Sequence, residues 1–188
     1  MSHLQESQSI LEAAENLPLE EKVRLIQEAL QALAYLHRRG VLHRDLKPEN
    51  VQVVDGSVQV LDFGLAINKN LDQTNSAGTV LYMAPELFDG EAYESTADLY
   101  SIGILLYQAL TGTHPFEPFD YTFVDRVLDE EPNLEQIDRR LQPLLGSLLA
   151  KKPCQRPESA NEVLVLIANA LGQPVAVETS AILSLIHI

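Results

Sequence analysis

Tryptophan is absent from this 188-residue chain, and cysteine occurs once, as Cys154. One thiol makes no internal disulfide and supplies too few soft ligands for a thiolate zinc site. Cationic side chains are scarce as well: 13 Lys and Arg stand against 27 Asp and Glu, a formal charge of −14. Such an excess of negative charge repels a phosphate backbone and argues against a nucleic-acid partner. Long apolar runs are missing too. A stretch such as Ile102 to Tyr107 falls far short of the ~20 residues needed to cross a bilayer. The opening MSHLQESQSI lacks the basic start and apolar stretch of a signal peptide. These absences predict a soluble, cytoplasmic protein with no membrane segment. What remains is ordinary globular material, 46% hydrophobic and 21% charged, enough to build one core and too apolar for a disordered chain.

Periodicity divides the chain into elements. Leu4, Ile10, Leu11 and Ala14 give a weak helical pattern over residues 3 to 15, broken at Asn16-Leu17-Pro18. From Pro18 the pattern sharpens: Val23, Ile26, Leu30 and Leu33 step by three and four, His37, Arg38 and Arg39 form a basic last turn, and Gly40 stops the helix. Val51, Val53, Val58 and Val60 then alternate with polar residues around Asp55-Gly56, the pattern of a small hairpin. Residues 62 to 83 lose all periodicity and read as one long irregular loop, a feature usually kept for function. Ser95 and Thr96 offer an N-cap to a helix that is apolar almost all round and stops at Gly112, so it belongs at the centre of the domain. Further helices are predicted over residues 121 to 129, 137 to 150 and 157 to 171, the last opened by Pro157 and closed by Gly172.

Three short segments carry the candidate chemistry. His43-Arg44-Asp45-Leu46-Lys47-Pro48-Glu49-Asn50 lies between the first strong helix and the hairpin, Asp62-Phe63-Gly64 closes the hairpin, and Ala84-Pro85-Glu86 ends the irregular loop. In this order and context they match the catalytic loop, metal-binding turn and loop end of the protein-kinase signature set. The chain thus resembles a eukaryotic-like serine/threonine protein kinase, and LDFGLA and GTVLYMAPE resemble the bacterial members. The resemblance runs from residue 3 to about residue 172. It implies a mainly α, protein-kinase-like fold with a small β-hairpin, confined to the C-terminal, large lobe. Residues 1 to 172 would form that lobe, with the catalytic loop at 43 to 50 and the activation segment at 62 to 86. Residues 173 to 188 would form a tail outside the fold.

Taken singly, Asp45, Asn50 and Asp62 are ordinary turn formers. Taken together they form a phosphoryl-transfer site, because that reaction needs positioned charge more than covalent chemistry. The resemblance implies ATP and Mg²⁺ as cofactors and a Ser/Thr hydroxyl of a protein substrate as acceptor. Asp45 would be the base. Asn50 and Asp62 would supply hard oxygen ligands to Mg²⁺. Lys47 would neutralise charge on the transferring group, and Thr79 resembles the hydroxyl that bridges the catalytic Asp and Lys in the serine/threonine class. Arg44 would pair with a phosphate placed on Thr74 or Ser76. His43 is expected to hold the loop by packing and backbone hydrogen bonds. Asp98 would accept backbone hydrogen bonds from the catalytic loop, and Glu86 and Arg156 would form a buried architectural ion pair.

Equally informative is what the family has and this chain lacks. Ahead of residue 18 there is no glycine-rich phosphate loop, no strand lysine and no partner glutamate helix, and Lys22, Lys69, Lys151 and Lys152 sit in no suitable strand pattern. The expectation is a truncated kinase domain whose missing N-lobe is a required partner, with Met1 internal to a longer protein and negligible activity for residues 1 to 188 alone. The alternative is a non-catalytic, pseudokinase-like binding or regulatory module, for which the intact chemical residues would have no physical use.

Overall fold

The computed structural model describes residues 7–62 and 77–174. The described chain enters through a two-residue strand, β1 (Gln8–Ser9), and a five-residue helix, α1 (Ile10–Ala14). A helix over residues 3 to 15 is therefore corrected in its described part. Glu12 N donates to Ser9 Oγ at 3.3 Å and Ser9 N donates to Glu12 Oε2 at 2.8 Å. This reciprocal capping box sets the helix start at Ile10 and leaves Gln8 and Ser9 extended.

Helix α2 (Leu19–His37) follows with Pro18 as its N-cap, and the predicted stripe of Val23, Ile26, Leu30 and Leu33 is fully buried. Strands β2 (Val51–Val54) and β3 (Ser57–Val60) pair antiparallel across Asp55-Gly56, with Val51 opposite Val60 and Val53 opposite Val58. Strand β1 joins them, Gln8 opposite Val53 and Ser9 opposite Gln52, so the sheet has three strands in the order β1-β2-β3 where a lone hairpin was expected. Two residues are too few to show a period of two in sequence.

The remainder is helical: α3 (Ala77–Val80), α4 (Pro85–Phe88), α5 (Ser95–Thr111), α6 (Phe123–Asp129), α7 (Gln142–Leu148) and α8 (Ala160–Leu171). The loop predicted over 62 to 83 thus contains a helical turn, and residues 63–76 of it lie outside the described residues. Helix α5 occupies the centre as expected and packs against α2, α7 and α1, while α8 lies along α2. At Gly103 a Cβ would come within 2.9 Å of Leu149 Cδ2 and 3.0 Å of Leu148 Cβ, so the end of α7 reaches the backbone of α5. Two helix starts differ from their predicted caps. Glu94 precedes α5 without a side-chain cap, and Thr96 Oγ1 is buried with no partner. At α8 the cap is Ser159, whose Oγ accepts from Glu162 N at 3.2 Å, and Pro157 lies before the helix.

One ion pair crosses this core. Arg156 Nη1 and Nη2 donate to Glu86 Oε1 and Oε2, each at 2.7 Å, and the two side chains are 0% and 6% exposed. Arg156 also donates to the carbonyls of Ala150, Thr96 and Lys151, so one guanidinium ties α4 to α5 and to the turn before α8. Removing one member of such a pair strands the other charge in the interior. Arg156→Ala is expected to lower the unfolding free energy by about 3 kcal/mol, measured by urea denaturation. A loss below about 1 kcal/mol would mean that water solvates Glu86 once the arginine is gone.

Candidate active site

The segment from His43 to Asn50 connects α2 to β2 and carries no regular structure until a short 3₁₀ turn at Pro48–Asn50. Its shape is imposed from below by α5. Asp98 is 0% exposed, and its carboxylate accepts from His43 N at 2.9 Å, Arg44 N at 3.0 Å, His37 Nε2 at 2.7 Å and Tyr93 Oη at 2.7 Å. Burial pushes the pKa of this group up, but the hydrogen bonds from His37 and Tyr93 outweigh it and hold the carboxyl below its usual range. Pinned in this way, Arg44 adopts a left-handed backbone with φ of 72°, a conformation costing a non-glycine residue roughly 1–2 kcal/mol.

His43 joins this loop to the hairpin. Asp45 N donates to its Nδ1 at 3.3 Å, so the ring proton is on Nε2, which donates to Leu61 O at 2.9 Å. Leu61 N in turn donates to Asn50 O at 2.9 Å. Both polar groups of Leu61 are thereby tied to the loop, which sets the position of Asp62, the exposed residue that follows it with φ of 56°. Burial pushes the His43 pKa down, against pulls from Asp98, the Leu61 carbonyl, Asp45 and Asp62. Asp45 and Asp62 thus both act on the charge of one imidazole.

Around Asp45 the contacts close into a ring. Thr79 Oγ1 donates to Asp45 Oδ1 at 3.1 Å and accepts from Lys47 Nζ at 3.2 Å, and Lys47 Nζ lies 2.9 Å from Asp45 Oδ2. Asn50 Nδ2 donates to Asp45 O at 2.8 Å and to Asp45 Oδ2 at 3.0 Å. Both amide hydrogens of Asn50 are thus used on Asp45, and its Oδ1 is the atom left to act as acceptor or ligand. That oxygen and the Asp62 carboxylate are both hard donors of the kind Mg²⁺ takes alongside phosphate oxygens and water. Among the described residues, no group of three or more His, Cys, Asp and Glu side chains could hold a metal by itself.

The structure therefore links Asp45, Lys47, Asn50 and Thr79 through direct contacts, while Asp62 directly follows Leu61, which is bonded to His43 and Asn50. Arg44 is exposed, its guanidinium 5.9 Å from the ring of Tyr93. Thr74 and Ser76 lie outside the described residues. Sequence reasoning missed two supports, His37 and Tyr93. His37 continues the stripe of Ile26, Leu30 and Leu33 at helical spacing, and a polar residue on such a stripe is a signal for a buried hydrogen-bonding role. Tyr93 carries no comparable signal, because it lies in an irregular connection.

A second histidine repeats the arrangement of His43 at the far end of the loop. Phe116 N donates to His114 Nδ1 at 3.1 Å, and His114 Nε2 donates to Leu81 O at 2.8 Å. Burial pushes its pKa down to about 4. A neutral ring in the fold and a protonating ring in the unfolded chain make stability complete above about pH 6.5 and lost as pH falls toward 4. His114 is expected to remove about 2.5 kcal/mol between pH 7 and pH 4.5, with His43 adding in the same direction. Urea denaturation at the two pH values checks this, and His114→Gln should flatten the dependence; an unchanged slope would contradict it.

Among the described residues, no helix is long and apolar enough to cross a membrane. The protein kinase domain family matches residues 1–166. The chain is 39% identical over 144 residues to serine/threonine-protein kinase AtPK2/AtPK19 of Arabidopsis thaliana, covering 72% of this chain and 31% of that protein. It is 39% identical over 161 residues to serine/threonine-protein kinase pkn3 of Myxococcus xanthus, covering 73% of this chain and 29% of the relative. With serine/threonine-protein kinase PknB of Mycobacterium leprae it shares 33% identity over 171 residues, covering 84% of this chain and 28% of that protein. The chain thus spans less than a third of the length of each of these relatives. A family match over most of the chain, relatives from plants and bacteria alike, and a loop whose lysine and asparagine converge on its own aspartate, with one threonine bridging that acid and lysine, give the same answer: this chain belongs to the protein kinase family.

Proposed function

We propose that residues 1 to 172 are the large lobe of a serine/threonine protein kinase of bacterial type, and that they supply the acceptor-aiming and metal-holding half of an ATP- and Mg²⁺-dependent phosphoryl transfer to protein Ser/Thr hydroxyls. The observation that carries this reading is the closed ring of Asp45, Lys47 and Thr79. A carboxylate offers about four acceptor directions, and Thr79, Lys47 and Asn50 take three of them at Asp45. The direction left open can receive a substrate hydroxyl's proton and aim its oxygen. Lys47, held between Asp45 and Thr79, sits where it can offset negative charge on the transferring group. Asn50 and Asp62 would hold Mg²⁺, which when bound neutralises phosphate charge. The Thr79 bridge supports Ser/Thr acceptors, and relatives with serine/threonine-kinase names support the same class.

Phosphate clamping belongs, in this reading, to an N-terminal lobe that residues 1 to 188 do not encode, so the chain alone is expected to show negligible turnover. Arg44 remains the partner for a phosphate on Thr74 or Ser76. Metal binding tests the site without turnover. Mn²⁺ with ADP should broaden the NMR signals of the Asn50 side-chain amide and the Asp62 amide first, and Asp62→Ala should weaken Mn²⁺ binding about tenfold. Broadening spread evenly over the acidic surface, untouched by Asp62→Ala, would refute the metal assignment.

A further inference from the structure

Thirty-five residues beyond Thr79 the chain passes again beside the acceptor site, through a loop that no role above absorbs. His114 Nε2 holds Leu81 O at 2.8 Å, and the His114 ring lies 6.2 Å from Tyr82 and 5.0 Å from Phe119 between centroids. Phe119 also packs edge-on against Phe123 at 5.5 Å. Aromatic contact is therefore continuous from the loop carrying Thr79 out to the surface, where Phe119 is 54% and Tyr121 is 96% exposed. A phenylalanine and a tyrosine two residues apart thus present ring surface to solvent. The charge around them says what partner they suit. Residues 117 to 131 contain six carboxylates, all exposed; Arg126 pairs with Asp120, and Lys151, packed on the ring of Phe116, faces Asp129, Glu130 and Glu131, so the surface keeps an acidic excess. Aromatic faces in a negative field favour a cation, and a planar, weakly hydrated guanidinium stacks on them better than an ammonium.

We propose that Phe119 and Tyr121 form a platform for an arginine that flanks the acceptor residue of the peptide substrate, so that this site selects basic Ser/Thr peptides. The inference rests on the kinase reading above, since it takes the peptide's hydroxyl to lie at Asp45. Carboxylates of residues 117 to 131 raise the local concentration of cationic peptides, and the two rings distinguish arginine from other cations.

Fluorescence anisotropy on the 188-residue chain tests this, using labelled twelve-residue peptides with one serine and flanking arginines, and the same peptides with alanine or lysine in place of arginine. Arginine is expected to bind about tenfold tighter than alanine, with lysine between them. Tyr121→Ser, at a side chain almost wholly in solvent, should remove most of that preference while leaving the alanine peptide unchanged. Phe119→Leu, which keeps the packing on Phe123 but loses the ring face, should do the same in part. An arginine preference that survives both variants would belong to the general acidic field and would overturn the proposal. A benzophenone in place of the serine separates this failure from that of the kinase reading. Labelling of residues 43 to 50 or 77 to 84 places the acceptor at Asp45 whatever the arginine result. Arginine-dependent binding with labelling elsewhere would overturn both the kinase reading and the proposal.

Discussion

Asp45→Asn is expected to lower kcat for a Ser or Thr peptide by about 10²–10⁴-fold with little change in KM for ATP, in a protein joining residues 1 to 188 to a lobe with a glycine loop and strand lysine. The substitution preserves size but removes the negative charge and the ability to take a proton. It also turns an amide into the ring of contacts, where Lys47 and Asn50 present donors to Oδ2 and Thr79 to Oδ1, so the new NH2 group faces at least one of these donors whichever way the amide is oriented. The Asp45 side chain is 32% exposed, and the loop beneath it is held through backbone groups, so the fold should survive. Steady-state kinetics with circular dichroism as a control decides the matter. A kcat within threefold of the parent would remove Asp45 from proton transfer and leave the pseudokinase-like module as the better reading.

Asp98→Ala should produce the largest loss of stability of any single change near the site, about 4 kcal/mol or more. Four donors converge on this carboxylate, and each buried donor left without an acceptor costs about 1–3 kcal/mol. Partial relaxation and entering water reduce the sum, but the His43 and Arg44 amides have no alternative acceptor while the loop keeps its shape. The positive φ of Arg44 is stored strain that persists only while the surroundings impose it. Release of the loop should therefore accompany the destabilisation, and hydrogen exchange should show the His43 and Arg44 amides losing protection ahead of the core of α5. Asp98→Asn, which keeps the volume but meets four donors with one carbonyl, should fall between. If the alanine variant unfolds within 1 kcal/mol of the parent, Asp98 does not hold the loop.

Much of the fold can be read from periodicity because the main helices bury one continuous stripe. Val23, Ile26, Leu30 and Leu33 are spaced as a helix requires, and all are fully buried. The misreadings fall where local signals compete. Ser9 and Glu12 carry a cap signature, but the weak apolar pattern around them obscured it and hid β1. Ser95 and Thr96 have the right chemistry for a cap, yet Thr96 is drawn into the interior as α5 packs, so tertiary burial overrode the local preference. Pro157 suits a first helical turn, but Ser159, two residues later, makes the capping hydrogen bond.

The order and spacing of the catalytic loop, the metal-binding turn and the loop end, together with the scarcity of cysteine and of positive charge, were determined by the amino-acid sequence alone. Those features are local, set by residue type within a few positions. Which groups meet is settled by packing. His37 reaches Asp98 from a segment 61 residues away, and Thr79 closes its ring with Asp45 across 34. Phe119 packs on His114, which holds Leu81 two residues from Thr79. Contacts between distant positions leave no period or motif in one sequence, because the geometry that selects them arises only when helices pack around α5.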